Sequence, residues 1–174
     1  MIYLDNAATS WPKPPEVIRA MADFTNRVGA NPGRAGHRLA VEAGRIVYNT
    51  REALADLFNA PDPLRIVFEA NVTAAINLCL HGILKPGDHV ITSSMEHNSV
   101  IRPLRYLEQR GVEVSVAQCT PEGELNPEAV EKLIKQKTKM VVINHASNVV
   151  GTLLPIREIG QLCRRYGLLF LVDS

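Results

Sequence analysis

The order of its apolar segments constrains the fold of this 174-residue chain more than any other feature of the sequence. Short apolar runs alternate with longer segments in which apolar residues recur at helical spacing. The predicted strands are residues 64–68, 89–92, 112–116, 140–144 and 168–172, and the predicted helices between them are residues 72–84, 99–110, 126–134 and 156–166. Apolar strands that alternate with helices are typical of parallel sheets. The sequence therefore predicts an α/β fold of three layers, in which a largely parallel sheet is flanked by helices on both faces.

Two further helices are predicted ahead of this alternating region, at residues 14–28 and 39–58. The loop between them, residues 29–37, is rich in glycine and polar side chains. No repeat or linker marks off a separate second domain. We expect residues 1–60 to form an N-terminal segment whose helices contribute to an active site, and residues 61–174 to form the first part of an α/β domain.

Composition and charge exclude several classes of protein. Hydrophobic residues make up 46% of the chain and charged residues 21%, which is a globular mixture. The 19 Lys and Arg residues balance 18 Asp and Glu residues, so the basic excess of a nucleic-acid-binding protein is missing. No apolar run approaches the roughly 20 residues that cross a bilayer, and no signal-peptide pattern begins the chain. We expect a cytoplasmic protein with no nucleic-acid or membrane partner.

The cysteines give no sign of a metal or of a disulfide framework. Cys79, Cys119 and Cys163 lie far apart, and none belongs to a CxxC pair. An odd, unclustered set argues against both a disulfide scaffold and a zinc site. We therefore expect no metal ligands in this chain.

Polar residues follow several of the predicted strands at the point where each strand ends. In an open α/β sheet, ligands bind beyond the carboxyl ends of the strands. The polar segments found there are residues 69–73, residues 93–99, residues 145–151 and the single residue Asp173. Their shared location predicts a ligand site, because no one of them would be convincing alone.

The first of these segments leads into a predicted helix that starts near Thr73. The first turn of a helix presents free backbone N–H groups and a positive dipole end, and Thr73 adds a hydroxyl. This combination suits a phosphate group. The alternative is that Asn71 or Thr73 only caps the helix.

His97 and Asp173 are the two candidates with titratable side chains. A histidine in the loop after a strand can stack on a flat ligand, titrate, or hydrogen-bond a loop carbonyl. Asp173 follows five apolar residues, so its carboxylate is expected to be paired or to contact a ligand. Acceptance of backbone N–H groups from the next turn is the alternative for Asp173.

Two loops supply the remaining candidates. The amide of Asn148 can donate to a ligand oxygen, or it can close its own loop as an Asx turn. In the loop of residues 31–37, Asn31, Arg34 and His37 are candidate substrate-binding residues, since a cationic side chain can meet a carboxylate. A solvated surface loop is the alternative for these residues.

Several motifs of the chain occur together in one order. They are Tyr3-Leu-Asp-Asn-Ala-Ala-Thr9 with Pro12-Lys-Pro14, Asn31-Pro-Gly-Arg-Ala-Gly-His37, Glu96-His-Asn-Ser-Val100 with Arg102-Pro-Leu104, His145-Ala-Ser-Asn-Val-Val-Gly151 and Leu171-Val-Asp173. In this order they resemble the cysteine desulfurase family, which are pyridoxal-phosphate-dependent enzymes of the class V aminotransferase group. The resemblance extends from Ile2 to Ser174.

The resemblance implies an incomplete large domain of a fold type I transferase that binds pyridoxal 5'-phosphate. Thr73, with the backbone of Asn71 and Val72, would hold the cofactor phosphate. His97 would stack on the pyridine ring and relay protons, and Asp173 would pair with the pyridinium nitrogen. His97 and Asp173 are thus the expected catalytic residues.

The resemblance further implies that Asn148 hydrogen-bonds the phenolic oxygen of the cofactor. The implied reaction removes sulfur from L-cysteine and leaves alanine and a persulfide, or acts in the same way on selenocysteine. A small amino-acid substrate, a homodimer and a sulfur-acceptor protein are the expected partners.

Two departures from the family pattern bear on this expectation. Ala74 stands where the family usually has Glu, directly after the phosphate-binding threonine. The family's Schiff-base lysine, its sulfur-accepting cysteine and its small C-terminal domain all come later than the pyridine-binding aspartate, beyond these 174 residues. The chain alone is therefore expected to lack the full activity.

Two alternatives remain open at this point. A class V aminotransferase, or another pyridoxal-phosphate lyase acting on a different amino acid, would share the same fold. A non-catalytic fragment that acts as a cofactor-binding or assembly module belongs to another class of function.

Overall fold

The structure is a computed structural model that describes residues 2–34 and 36–174. The chain divides into two compact units, Met1–Phe68 and Glu69–Ser174. The predicted division between residues 60 and 61 stays a prediction, because the compactness of the units does not test what each contributes to an active site. In the described parts of the chain, no helix combines the length and apolar character needed to cross a membrane.

The first unit contains the helices α1 (Pro15–Asp23) and α2 (Arg38–Phe58). The helical segment predicted over residues 14–28 is confirmed, and within it α1 passes directly into a π-helical segment, Phe24–Val28. Gly29 ends that segment by donating its N–H to the Phe24 carbonyl at 2.8 Å. The φ of Gly29 is 52°, in the left-handed region that glycine enters without steric cost.

The strand predicted at residues 64–68 is wrong. Pro63–Arg65 forms a short 3₁₀ helix, whose start is capped by the Asp62 carboxylate accepting the Leu64 N–H at 2.8 Å. No neighbouring strand pairs with this segment among the residues that the structure describes. Its β-branched, apolar composition favours a strand, but without a partner the local Asp-Pro turn chemistry decides its conformation.

The second unit alternates helices and strands as the sequence predicts. Its elements are α3 (Val72–Ile83), β1 (His89–Ser93), α4 (Asn98–Glu108), β2 (Glu113–Ala117), α5 (Pro127–Glu131), β3 (Thr138–Asn144), α6 (Ile156–Arg165) and β4 (Leu169–Asp173). Helix α5 is shorter than predicted. The amides of Leu133 and Ile134 bond the carbonyls three residues back, which turns the chain out of the α-helix ahead of β3.

The four strands form one parallel sheet in the order β2-β1-β3-β4. One face carries a buried core formed with α3 and α4, which includes Leu80, Val90 and Leu104. The other face carries a second buried core formed with α5 and α6, which includes Ile143 and Ile159. The predicted three-layer α/β architecture is therefore confirmed, and its strands all end at one edge of the sheet.

A buried histidine links three strands at the opposite end of the sheet, where the strands begin. His89 begins β1 and is fully buried. Its Nδ1 lies 2.8 Å from the Thr138 hydroxyl of β3, and its Nε2 lies 2.8 Å from the Ser115 hydroxyl of β2. Thr138 Oγ1 also accepts the Lys135 N–H, so the same hydroxyl joins His89 to the turn before β3.

Candidate functional site

The carboxyl ends of β1, β3 and β4 lie side by side. Asn144, the last residue of β3, pairs in register with Asp173, the last residue of β4. The His145 N–H donates to the Asp173 carbonyl at 2.7 Å and extends the pairing by one residue. Strand β1, on the other side of β3, leads into the loop that carries Glu96 and His97. The sheet therefore brings two of the predicted polar segments and Asp173 to one edge.

Helix α3 supplies an anion-binding feature near this edge. Asn71 caps the helix, because its side-chain oxygen accepts the Ala74 N–H at 2.9 Å. The Ala75 N–H bonds the Asn71 carbonyl. Within the described residues, the N–H groups of Val72 and Thr73 have no partner. The helix therefore uses Asn71 as a cap and leaves two donors and the exposed Thr73 region available to an anion.

A cavity of about 600 Å³ lies against helices α3 and α4 and contains two of the predicted site residues. Both helices contribute polar groups to its lining, namely hydroxyl, amide, imidazole and guanidinium groups. The lining residues are Thr73, Asn77, His81, His97, Asn98, Ser99, Arg102, Pro103 and Tyr106. The structure thus brings Thr73 and His97 together, although they are well separated along the chain.

His97 caps helix α4 as well as lining the cavity. Its Nδ1 accepts the Ser99 N–H at 3.1 Å and lies 2.6 Å from the Ser99 hydroxyl. A ring nitrogen that accepts a backbone N–H carries no proton, so the proton of the neutral imidazole is on Nε2. The sequence left open a hydrogen bond to a loop carbonyl. The structure instead has the ring accepting from the start of α4.

Asp173 lies half-buried at the end of β4. Burial raises the pKa of its carboxyl, and the nearby His97 opposes that rise. No hydrogen bond to the Asp173 side chain occurs in the part of the chain that the structure describes. The suggested bonds from the following turn stay a prediction, since only Ser174 follows Asp173 in this sequence. The carboxylate remains available to a ligand and lies near His97.

Asn148 lies in the exposed turn after β3, and this turn is closed by its neighbour. The Ser147 hydroxyl oxygen accepts the N–H groups of Val149 and Val150 at 3.2 and 3.3 Å, and the Gly151 N–H donates to the Ser147 carbonyl. The Asx turn considered for Asn148 is therefore not what closes the loop. Its amide is exposed and does not line the cavity beside α3 and α4.

The candidate substrate-binding residues lie in the first compact unit. Asn31 and Arg34 are exposed. His37 caps helix α2, because its Nδ1 accepts the Ala40 N–H at 3.2 Å. Their participation in a site with the residues of the second unit stays a prediction.

Two residues that the sequence did not single out belong to the site. Arg102 lines the cavity one helical turn after Asn98 and is a cation within it. Glu96 turns its carboxyl inward, and one of its oxygens is buried without a partner in the described chain. A signal was present for both, since the Glu96–Arg102 segment is part of the motif around His97. Nothing in the sequence indicated which residues of this segment are buried and which are exposed.

Burial raises the pKa of Glu96 to about 7. The hydrogen bonds from Ser93 and Asn144 act against this rise, and the charge of Asp173 adds to it. The site thus holds the carboxyl groups of Glu96 and Asp173, whose charges interact, and the imidazole of His97 at the same edge of the sheet. Such a grouping at the end of parallel strands is a candidate for proton chemistry on a bound ligand.

Comparisons with known proteins identify the family of this chain. The family described as "Aminotransferase class-V" matches residues 2–174. A probable cysteine desulfurase of Methanothermobacter thermautotrophicus is 36% identical over 174 residues, which cover 99% of this chain and 43% of that protein. The apo structure of the cysteine desulfurase from Thermococcus onnurineus NA1 is 33% identical with a TM-score of 0.90, covering 99% of this chain and 44% of that one.

A further solved structure, described as SspA in complex with cysteine, is 30% identical with a TM-score of 0.91. The match covers 100% of this chain and 50% of that one. The chain therefore spans half or less of the length of each of these relatives. The family match, by contrast, extends over nearly the whole of this chain. By that match the chain belongs to the class V aminotransferase family, and its relatives include proteins described as cysteine desulfurases.

Proposed function

We propose that this chain acts as the N-terminal part of a pyridoxal-phosphate-dependent cysteine desulfurase or selenocysteine lyase. The reaction removes sulfur from L-cysteine and leaves alanine and a persulfide. The observation that carries the proposal is the meeting of Thr73, at the start of α3, and His97, at the start of α4, in one cavity. A relative of similar fold described as in complex with cysteine supports the choice of substrate.

The described residues fit the cofactor. A phosphate needs N–H and hydroxyl donors, and the start of α3 offers the N–H groups of Val72 and Thr73 together with the Thr73 hydroxyl. A protonated pyridine nitrogen needs a carboxylate, and Asp173 has one with no hydrogen bond of its own in the described chain. The exposed amide of Asn148 is suited to an oxygen of the ring.

When bound, the cofactor supplies an electron sink for bond breaking at the α-carbon of the amino acid. Asp173 would hold a proton on the pyridine nitrogen. His97, whose Nδ1 is engaged with Ser99, has its ring face available for stacking and its Nε2 available for moving a proton. Asn71 keeps α3 capped so that the donors of Val72 and Thr73 stay in place.

Several parts of the proposal rest on the sequence. Asn31, Arg34 and His37 are proposed to bind the substrate, with residues 1–60 contributing to the active site. A homodimer, a sulfur-acceptor protein and a cytoplasmic location also belong to the proposal. So does the expectation that the chain alone is inactive for want of the Schiff-base lysine.

Equilibrium dialysis of the chain against pyridoxal 5'-phosphate tests the cofactor site. We expect binding, and we expect pyridoxal, which lacks the phosphate, to bind at least about tenfold more weakly, since a charge-assisted contact contributes about 1.5–3 kcal/mol. The His97→Ala variant should bind more weakly than the wild type. The Asp56→Asn variant, changed on the exposed surface of α2, is the matched control. Absence of any binding would contradict the proposed site.

The reaction is tested by incubation with L-cysteine and measurement of alanine. We expect no alanine from the cofactor-supplemented chain alone, and no covalent retention of the cofactor after borohydride treatment. The longer protein that continues beyond residue 174 should release alanine from L-cysteine. Faster turnover of a different amino acid would favour another class V activity, and failure of the longer protein on every amino acid would favour a non-catalytic module.

A further inference from the structure

The proposed function assigns no role to the buried carboxyl of Glu96. Its Oε1 accepts the Ser93 hydroxyl at 2.5 Å and the backbone N–H of Asn144 at 3.1 Å. Its Oε2 is buried and has no partner among the described residues. A carboxyl held in this way costs free energy to desolvate, so its retention calls for a compensating role.

The contacts of Glu96 join two loops that are distant in sequence. Asn144 lies 48 residues after Glu96, and its side-chain amide also donates to the Met95 carbonyl at 3.1 Å. The loop after β1 is therefore fastened to the end of β3 at two consecutive residues, Met95 and Glu96. His97 follows directly and begins the capping of α4.

The end of β3 is in turn fastened to Asp173. Asn144 pairs with Asp173 in register, and the His145 N–H donates to the Asp173 carbonyl. Glu96 thus accepts the Asn144 N–H, and the next residue, His145, donates its N–H to the Asp173 carbonyl, so two consecutive residues at the end of β3 link the His97 loop to the backbone of Asp173. Hydrogen-bonded supports of this kind hold a contacting residue within a fraction of an ångström of its working position.

We propose that Glu96 is a positioning residue that acts through His97, because its carboxyl fixes the His97 loop to the end of β3 beside Asp173. The inference rests on the proposed function, since His97 is taken to contact the cofactor ring. Glu96 itself touches neither substrate nor cofactor in this account. The pKa of its carboxyl is raised by burial, as is common for carboxyl groups at functional sites.

Three substitutions separate the contacts of Glu96 from its charge. Glu96→Gln keeps an oxygen that can accept from Ser93 and Asn144, so it should bind pyridoxal 5'-phosphate within about twofold of the wild type. Glu96→Ala removes both contacts and should weaken binding about tenfold, the effect of a lost buried hydrogen-bond pair. Glu96→Asp, shortened by one methylene, should bind as weakly as the alanine variant. It replaces Glu96→Ala in the measurements if Glu96→Ala does not fold.

A double-mutant cycle with His97→Ala decides whether Glu96 acts through His97. In the His97→Ala background, Glu96→Ala, or Glu96→Asp in its place, should weaken pyridoxal 5'-phosphate binding no further. An equal, independent loss in both backgrounds would overturn the proposal. The matched control is Glu122→Ala, which removes an exposed carboxyl from the turn after β2 and should change neither measurement.

Nitrogen NMR of the His97 ring supplies a readout that needs no cofactor. We expect the Nδ1 and Nε2 signals of the wild type to persist in Glu96→Gln and to shift in Glu96→Ala or Glu96→Asp. Unchanged ring signals in a folded Glu96→Ala or Glu96→Asp variant would overturn the positioning role. If the wild-type chain binds no pyridoxal 5'-phosphate, the proposed function fails, while the NMR comparison still decides whether Glu96 positions His97.

Discussion

Two side chains at the start of α3, Asn71 and Thr73, have different roles, one in folding and the other in the proposed binding. Asn71 accepts the Ala74 N–H and is a helix cap, whereas no hydrogen bond to the Thr73 hydroxyl occurs in the described chain. The sequence left open whether these residues cap the helix or bind a phosphate. The structure gives the cap to Asn71, and this leaves Thr73 to the proposed phosphate site.

Substitution of the cap should therefore act on stability. We expect Asn71→Ala to lower the free energy of unfolding by about 1 kcal/mol, because one helix N–H loses its acceptor. Urea denaturation followed by circular dichroism measures the change. Asn71→Asp, which keeps an accepting oxygen, is the control and should stay near the wild-type value. A loss as large in Asn71→Asp as in Asn71→Ala would show that capping is not the role of Asn71.

Substitution of Thr73 should act on binding instead. Thr73→Val keeps the shape of the side chain and removes its hydroxyl, so we expect about a fivefold to tenfold weaker affinity for pyridoxal 5'-phosphate from one lost hydrogen bond. The free energy of unfolding should change by less than about 0.5 kcal/mol at this exposed position. Thr50→Val on α2 is the matched control. Wild-type affinity in Thr73→Val would remove the hydroxyl from the phosphate site.

Glu96 predicts a specific dependence of stability on pH. Its pKa is about 7 in the folded chain and 4.5 at the ordinary value expected when unfolded. The folded state therefore holds the proton more tightly, so the free energy of unfolding falls as the pH rises from 4.5 to 7. The full effect is about 3 kcal/mol. Urea denaturation at several pH values should show this slope in the wild type and not in Glu96→Gln. Equal slopes in the two proteins would contradict the raised pKa.

A titratable group lies near each end of strand β1. The two groups change the pH dependence of the free energy of unfolding in opposite directions. Glu96 follows the carboxyl end of the strand, and His89 begins its amino end. Burial lowers the pKa of His89, Lys135 and Lys137 lower it further, and Glu113 acts against them. The neutral ring is the form that bridges β2 and β3.

His89 should therefore destabilise the fold in acid. Below the ordinary histidine pKa of 6.5 the unfolded chain takes up a proton that the buried ring does not, so the free energy of unfolding falls as the pH falls. Urea denaturation of the Glu96→Gln variant isolates this slope from that of Glu96. His81→Gln, changed at an exposed histidine, should leave the slope intact. A stability that stays constant below this pH would contradict a buried, neutral His89.

The elements differ in how far the sequence alone predicts them. The four strands of the sheet and α3, α4 and α6 agree with the apolar patterns because their buried faces follow the helix and strand periods. The segment 64–68 has the composition of a strand but has no strand beside it. Pairing is a property of two segments, so the composition of one of them could not decide it.

Both hydrophobic cores of the molecule lie within the second compact unit. Every residue of the two clusters falls between Ile76 and Leu171, with α3 and α4 on one face of the sheet and α5 and α6 on the other. A unit that contains its own cores has the main requirement for independent folding.

We therefore expect residues 69–174, expressed alone, to unfold cooperatively in urea, as followed by circular dichroism. Ile143→Ala in this shortened chain should cost about 2–5 kcal/mol, because Ile143 is fully buried in the core beside α6. Val149→Ala, changed at an exposed turn residue, is the control. A gradual, non-cooperative loss of helical signal would show that the first unit is needed for folding.

The sequence by itself determined the parallel α/β architecture and the edge of the sheet where ligand chemistry belongs. Both follow from local periodicity and from the rule that parallel strands end together. Only the tertiary structure decided that Thr73 and His97 share one cavity and that Glu96 is fastened to Asn144, 48 residues later. The physical reason is that a cavity and a buried hydrogen bond depend on the distance between segments in space, and strand order and register set that distance.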